Sequence, residues 1–173
     1  MKKITVPLTK SVRRKLICGE EVLLSGTVYT ARDAAHKKLA HLIVGKKKLP
    51  FSLKNAVIYY TGPTPKRADG FFGSCGPTTS SRMDNFTPFL LQKGLGATIG
   101  KGRRSVRVKD LIKKHKAVYF LAVGGAGAYL AKRVKSSEVI AFKDLGPEAV
   151  YKLEIRNFPL VVGIDSSGKD IYG

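Results

Sequence analysis

Hydroxyl residues and an arginine cluster in the run GPTTSSRMD, which occupies residues 76–84. Its four consecutive hydroxyl residues exceed the single one that a helix N-cap needs. Hydroxyls, free N–H groups and the positive end of a helix dipole together bind anions. If a helix begins here, Thr78 and Arg82 are four residues apart and can converge on one carboxylate. The run therefore predicts a carboxylate site, and the alternative is a capped helix whose Arg82 forms an ordinary ion pair.

A second arginine lies in the run TARDAAHK at residues 30–37. Helix formers dominate this segment, and Thr30 is placed as a possible N-cap. In such a helix Arg32 and His36 share a face. A guanidinium can grip a carboxylate through two parallel hydrogen bonds, which a lysine cannot do. A surface helix in which Arg32 and Asp33 only cap the first turn remains an equal alternative.

The third segment is Gly100-Lys101-Gly102. Its glycines allow a ligand to approach the backbone closely, with Lys101 pointing into the site. The Gly-x-x-x-x-Gly-Lys-Ser/Thr spacing of a P-loop is absent, and the glycines at 124–127 do not satisfy Gly-x-Gly-x-x-Gly. Neither segment therefore predicts a nucleotide site.

The elements that would position these residues alternate along the chain. Apolar runs predict strands at 21–30, 56–60 and 117–123, and a strand or hairpin at 150–164. Helices are predicted from Thr30, over 79–93, from about Ser105 and after the turn at 124–128, while 61–77 is predicted to be a loop. This order predicts an α/β fold with a largely parallel or mixed sheet.

Composition narrows the class of protein. A length of 173 residues with 43% hydrophobic residues fits one domain. No apolar run reaches the roughly 18 residues that span a bilayer. The basic first residues lack a following apolar stretch, so we expect no secretion signal and a cytoplasmic protein.

The net charge of +20 is unevenly distributed. Residues 1–60 carry 13 Lys and Arg against 3 Asp and Glu, and residues 61–120 carry 12 against 3. Residues 121–173 carry 7 against 6. The excess positive charge could bind nucleic acid, an acidic partner chain or small anionic substrates. Nucleic-acid binding is the alternative function, although no aromatic recognition strand or zinc-finger spacing favours it.

Taken in order, five segments resemble the β chain, or C-terminal domain, of class I iron–sulfur fumarases. They are TARDAAHK at 30–37, YTGP at 60–63, GPTTSSRMD at 76–84, IGKG at 99–102 and GGA at 124–126. The β chain of L-tartrate dehydratase is the close relative. The resemblance covers nearly the whole chain, and it implies a single swivelling β/β/α domain over residues 1–173 with a mixed sheet and flanking helices.

The resemblance also implies roles for individual residues. It assigns binding of the malate or fumarate carboxylates to Arg32, Thr78, Arg82 and Lys101. Of these, Thr78, Arg82 and Lys101 would be catalytic, with Thr78 beside the C3 proton as the candidate base. It assigns a supporting role to Asp33, His36 and Asp84.

The implied activity is the reversible hydration of fumarate to L-malate, as the β subunit of a hetero-oligomer in the tricarboxylic acid cycle. The implied cofactor is a 4Fe–4S cluster held by a partner α chain, since a cluster needs about three or four thiolates. Only Cys18 and Cys75 occur here, far apart and outside any metal-ligand spacing, so we expect no metal ligand in this chain. Cys75 is interpreted as a small buried residue rather than a reactive thiol. The alternative hydro-lyase is L-tartrate dehydratase.

Overall fold

A computed structural model describes all residues, Met1–Gly173, as an α/β fold. The strands are β1 (Lys2–Thr5), β2 (Glu21–Thr30), β3 (Val57–Tyr59), β4 (Ala97–Gly100), β5 (Val118–Leu121), β6 (Val134–Ala141) and β7 (Val150–Ile164). The helices are α1 (Lys10–Arg13), α2 (Asp33–Val44), α3 (Thr87–Gln92), α4 (Val106–His115) and α5 (Gly127–Ala131). Short 3-10 helices cover Ser80–Met83 and Lys143–Glu148.

The seven strands form one mixed sheet in the order β1-β2-β3-β4-β5-β7-β6. Neighbours from β1 to β5 are parallel, whereas β7 runs antiparallel to β2, β5 and β6. Because β7 pairs with both β2 and β5, the ladder closes into a ring through β2, β3, β4, β5 and β7.

Two cores lie on the two faces of the parallel strands. In β3, Val57 and Tyr59 point into a core made mainly of strand residues inside the ring, as the period of two requires. Ile58, between them, faces a second core that includes Leu39 of α2 and Ile112 of α4. The structure is therefore an α/β domain with the mixed sheet and flanking helices that the resemblance implied.

Most of the predicted elements are confirmed, and two predictions are wrong. The strand at 21–30 has the predicted bounds, and 150–164 is one long strand. Ser105 caps α4, because its hydroxyl accepts from the Val108 N–H. Thr30 is no N-cap: it ends β2, and its hydroxyl accepts from the Tyr151 N–H.

The helix predicted over 79–93 is two separate pieces, the 3-10 helix Ser80–Met83 and α3. Pro88 lies in the first turn of α3, where its missing N–H costs nothing, so a helix starts there rather than passing through. The predicted anion site at a long helix N-terminus is therefore replaced by a loop that enters a 3-10 helix.

Candidate functional site

The predicted site residues collect where the parallel strands end. Arg32 follows β2, Gly62 follows β3, Lys101 follows β4 and Gly124 follows β5. Because these strands are parallel neighbours, their carboxyl ends meet at one edge of the sheet. Ligands of α/β folds bind at this edge. We call it the carboxyl edge.

The loop that contains Thr78 is tied to the carboxyl edge by main-chain hydrogen bonds. The Thr78 N–H donates to the Tyr60 carbonyl at 2.7 Å, and the Ser80 N–H donates to the Lys101 carbonyl at 3.0 Å. A methyl group at Gly100 would lie 1.9 Å from Ser80 Oγ, so only glycine lets the loop approach β4 this closely. The fold thus brings Thr78 to the end of β3, beside the segment that holds Lys101.

Arg32 has a guanidinium without a partner. It is the N-cap of α2 in extended conformation, and its Nε is buried with no hydrogen bond. The guanidinium lies against Gly62, where a methyl group would come within 2.8 Å of Nη1. An arginine that has unused N–H donors and lies against a glycine can donate hydrogen bonds to a carboxylate.

Arg82 is exposed, and two of its donors are occupied. Its Nε donates to Asp33 Oδ1 at 3.1 Å, and Nη2 donates to Asp33 Oδ2. The hydrogen bond from Arg82 holds the pKa of Asp33 below its usual value. A guanidinium has five N–H donors, so about three stay available on the other edge of Arg82. Asp33 therefore holds one edge of the Arg82 guanidinium.

Thr78 and Lys101 complete the set at the carboxyl edge. Thr78 is half-buried, and Lys101 is exposed. The Lys101 side chain extends over the turn after β5, where a methyl group at Gly124 would lie 3.7 Å from Lys101 Cδ. The structure thus gathers cations, a hydroxyl and main-chain turns at one exposed edge.

His36 lies below this edge rather than in it. Its side chain is fully buried in α2, and Nδ1 is 2.9 Å from the Arg32 carbonyl oxygen. A carbonyl only accepts, so Nδ1 carries the proton and Nε2 is an unprotonated acceptor without a partner. Burial lowers the pKa of His36 to about 4, so the ring is neutral near pH 7. His36 therefore contacts the backbone of Arg32 and contributes no charge.

Asp84 does not face the open edge. Its Oδ1 accepts from Arg104 Nε at 2.7 Å, and its Oδ2 accepts from the Ser105 N–H at 2.7 Å. The Arg104 side chain has no exposed surface and also donates to Thr98 at 3.2 Å and Thr87 at 2.8 Å. Asp84 thus supports a buried arginine.

Arg104 is the residue that sequence reasoning missed. The rings of Tyr60 and Tyr119 flank its guanidinium at 5.3 and 5.1 Å. Its carboxylate partner, Asp84, lies 20 residues away in the sequence. No local pattern could have marked this pair.

The donors in this chain do not fit an iron–sulfur cluster. No group of three or more His, Cys, Asp and Glu side chains is arranged to hold a metal ion. Burial raises the pKa of the Cys75 thiol to about 12, so this side chain is a neutral thiol rather than a ligand thiolate. Cys18 is separate from it and hydrogen-bonds the Gly163 carbonyl.

None of the helices is both long enough and apolar enough to cross a membrane.

Comparison with known proteins gives a consistent result. Residues 2–173 match the family described as Fumarase C-terminus. The L(+)-tartrate dehydratase subunit beta assigned in Methanocaldococcus jannaschii is 41% identical over 171 residues, covering 95% of this chain and 88% of that protein. Fumarate hydratase 2 of Leishmania major is 41% identical over 157 residues, covering 89% of this chain. The anaerobic class I fumarate hydratase of Escherichia coli K12 is 41% identical over 152 residues, covering 86% of this chain.

The relatives differ in how much of them the chain represents. It spans 28% of the length of each of these two fumarate hydratases, and nearly all of the tartrate dehydratase subunit. The match over residues 2–173, together with these identities, establishes the family. The chain belongs to the fumarase C-terminal family, and is similar to class I fumarate hydratases and to a tartrate dehydratase β subunit.

Proposed function

We propose that this chain is the β subunit of a class I fumarate hydratase and binds the dicarboxylate substrate for a partner α chain. The observation that carries the proposal is the unpartnered Arg32 guanidinium at the carboxyl edge, in the same edge as Thr78, Arg82 and Lys101. Fumarate and malate are dianions, and fixed cations at an exposed edge suit two carboxylates. The hetero-oligomer would act in the tricarboxylic acid cycle.

Each residue has a distinct task in this proposal. Arg32 and the free edge of Arg82 grip carboxylates, and Lys101 adds a positive charge beside them. When the C3 proton of malate is removed, negative charge develops on the adjacent carboxylate, and the same cations stabilise that charge as it forms. Thr78 is the candidate base. A threonine hydroxyl needs nearby cations to lower its pKa, and Arg82 and Lys101 are the available ones.

The partner α chain would hold the 4Fe–4S cluster, because the donors here do not fit one. Support for a partner comes from length, since the fumarate hydratases that match are more than three times longer than the matched region. We therefore expect the isolated chain to show no hydratase activity.

Tartrate dehydration is the second candidate. It is favoured by the Methanocaldococcus jannaschii relative, of which this chain covers 88%. Tartrate is also a dicarboxylate, so the cations at the carboxyl edge would serve either substrate.

The proposal is tested by purifying the chain anaerobically with its untagged partner and measuring turnover of fumarate, malate and L-tartrate. Variants Thr78→Val and Arg32→Lys are then compared at equal iron content. If Thr78 is the base, Thr78→Val lowers kcat by orders of magnitude and leaves KM nearly unchanged. If Thr78 only hydrogen-bonds a carboxylate, the loss is mainly in KM and worth about 1–3 kcal/mol.

Arg32→Lys keeps the charge but loses the two-pronged geometry, so it should raise KM and lower kcat together. Wild-type kcat in Thr78→Val would exclude the base assignment alone. Wild-type activity in both variants would exclude the substrate-binding role of this edge, and turnover by the chain without a partner would contradict the subunit role.

A further inference from the structure

Lysines line two adjoining grooves at the amino ends of the parallel strands. One groove, of about 790 Å³, is lined by Lys46, Lys47, Lys48, Lys54 and Lys93. A second, of about 550 Å³, shares Lys54 and Lys93 with the first and adds Lys10 and Lys114. No Asp or Glu lines either groove. We call this surface, defined by these seven lysines, the basic face.

The charge of the basic face is not compensated within the chain. None of its seven lysines takes part in any of the six ion pairs of the molecule. Burial, followed by the neighbouring charges of Lys114 and Lys10, lowers the pKa of His115, which lines the second groove. Folding therefore brings like charges together without a carboxylate between them.

Helix ends account for only part of this cluster. Cations stabilise the negative end of a helix dipole, and α2, α3 and α4 all end on this side. Lys93 is the C-cap of α3 and Lys114 lies in the last turn of α4. Lys47, Lys48 and Lys54 lie outside any helix, so the dipole gives no reason for them.

The basic face is separate from the candidate site. Lys54, Lys93 and Lys114 precede β3, β4 and β5, whereas Lys101 follows β4. Because these strands are parallel, the two surfaces lie at opposite ends of the same sheet. An inference about the basic face therefore does not depend on the proposed reaction.

The lining of the first groove distinguishes between two kinds of polyanion. Leu49, Pro50 and Phe51 lie in it among the lysines. A nucleic-acid backbone gains little from apolar lining, and single strands need exposed aromatic rings on which bases stack. Phe51 is 9% exposed and stacked on Tyr29, so it offers no such platform. Acidic polypeptides present carboxylates and apolar side chains together, which matches this groove.

We propose that the basic face docks an acidic segment of a partner polypeptide. Its carboxylates contact the lysines, and its apolar side chains pack against Leu49 and Pro50. Charge complementarity of this kind mainly raises the association rate and makes binding dependent on salt.

The test uses three labelled probes of equal length and the full chain. They are a 20-residue peptide of Glu with Leu at every third or fourth position, a 20-residue Glu peptide, and a 20-nucleotide single-stranded RNA of mixed sequence. Binding is followed by fluorescence anisotropy at low, intermediate and high salt. We expect the Glu/Leu peptide to bind tightest at intermediate salt and to weaken as salt increases.

Two triple variants locate the binding. Lys47→Gln/Lys48→Gln/Lys54→Gln should weaken binding of the Glu/Leu peptide by about tenfold or more, since it removes three contacts from the groove. Lys3→Gln/Lys143→Gln/Lys152→Gln removes the same charge from exposed positions elsewhere and should change binding less than about threefold. Thermal unfolding of both variants checks that the fold is kept.

Three results would overturn the proposal. Equal losses in the two variants would mean that net charge alone drives binding. Tighter binding of the RNA, lost in the groove variant, would assign the face to nucleic acid. Equal affinity for the Glu and Glu/Leu peptides would show that the apolar lining has no role.

Discussion

Arginines lie at both ends of the parallel strands β3, β4 and β5, and their partners differ from one end to the other. At the amino ends, the buried Arg13 donates to the Lys116 carbonyl at 2.6 Å, to Asn55 Oδ1 at 2.9 Å and to the Leu8 carbonyl. At the carboxyl edge, Arg32 has no such partners. Both positions are beside glycines that leave room for the guanidinium, Gly96 for Arg13 and Gly62 for Arg32. The same side chain in the same kind of niche therefore joins loops at one end and is available to a ligand at the other.

The carboxyl edge itself contains a graded series of arginines. Arg104 is fully buried and paired with Asp84. Arg82 is exposed, and two of its donors are bonded to Asp33. Arg32 is unpaired. Burial and pairing together distinguish structural from available charges. Residue type and spacing in the sequence do not distinguish them.

The largest effect is expected where a buried charge loses its counter-charge. Asp84→Asn leaves the Arg104 guanidinium buried beside a neutral amide. We expect the free energy of unfolding to fall by about 3–5 kcal/mol, measured by urea denaturation at pH 7. Asp69→Asn, which breaks a fully exposed pair with Arg67, is the matched control and should show no measurable change. A small loss in Asp84→Asn would mean that Arg104 is held by Thr87, Thr98 and the tyrosine rings alone.

The second prediction compares Arg13, at the amino ends of the strands, with Arg32, at the carboxyl edge. Arg13→Met leaves three acceptors without their donor, one buried and two partly buried, and should lower the free energy of unfolding by about 3 kcal/mol, at about 1 kcal/mol per hydrogen bond. Arg32→Met breaks no hydrogen bond, so its free energy of unfolding should stay within about 0.5 kcal/mol of the unsubstituted chain. Substrate turnover by the assembled complex should show the reverse order. Equal destabilisation by both substitutions would remove the distinction between the two ends.

This difference marks the limit of what the sequence predicts. Apolar runs were enough for β2, β3, β5 and β7, because buried strands require them. They did not predict β1, β4 or β6: β1 and β4 are only four residues long, and only one residue of β6 is buried at the sheet edge. One helix was predicted over 79–93, but Pro88 lies in the first turn of a separate helix, α3.

The candidate site divides in the same way. The segments with Arg32, Thr78 and Lys101 could be chosen from residue type and, for Thr78 and Lys101, from neighbouring glycines, and the structure brings all three to the carboxyl edge. The ion pairs around the site could not be predicted. Asp33 and Arg82, or Asp84 and Arg104, meet only because the chain folds α2, the Thr78 loop and the end of β4 together.

The third prediction concerns pH and the residue beneath Arg32. Burial lowers the pKa of His36 from 6.5 to about 4, so between these values the unfolded chain binds a proton that the folded chain does not. The free energy of unfolding is therefore unaffected by His36 above pH 6.5, and it decreases as the pH falls from 6.5 towards 4. From pH 7.5 to 4.5 the expected loss is about 2–3 kcal/mol.

The measurement is urea denaturation at both pH values. His36→Asn should flatten the pH dependence by most of this amount, whatever it does to stability at pH 7.5. His115→Gln is the comparison: burial also lowers the pKa of this histidine, but it is partly exposed, so its substitution should flatten the pH dependence less than His36→Asn. An unchanged slope in His36→Asn would mean that His36 is not the group that titrates.

The smallest change in stability, and the most informative about the site, is expected for Asp33→Asn. The pair with Arg82 is exposed, with 40% and 48% of the side chains accessible, and solvent screening limits such pairs to about 0–1 kcal/mol. The free energy of unfolding should therefore barely move. If Asp33 orients Arg82, the asparagine should raise KM for the dicarboxylate, because Arg82 is no longer held by two parallel hydrogen bonds. If Asp33 instead competes with substrate for Arg82, removing its charge should lower KM. Steady-state kinetics of the assembled complex, at equal iron content, distinguish the two outcomes, because KM rises in the first and falls in the second.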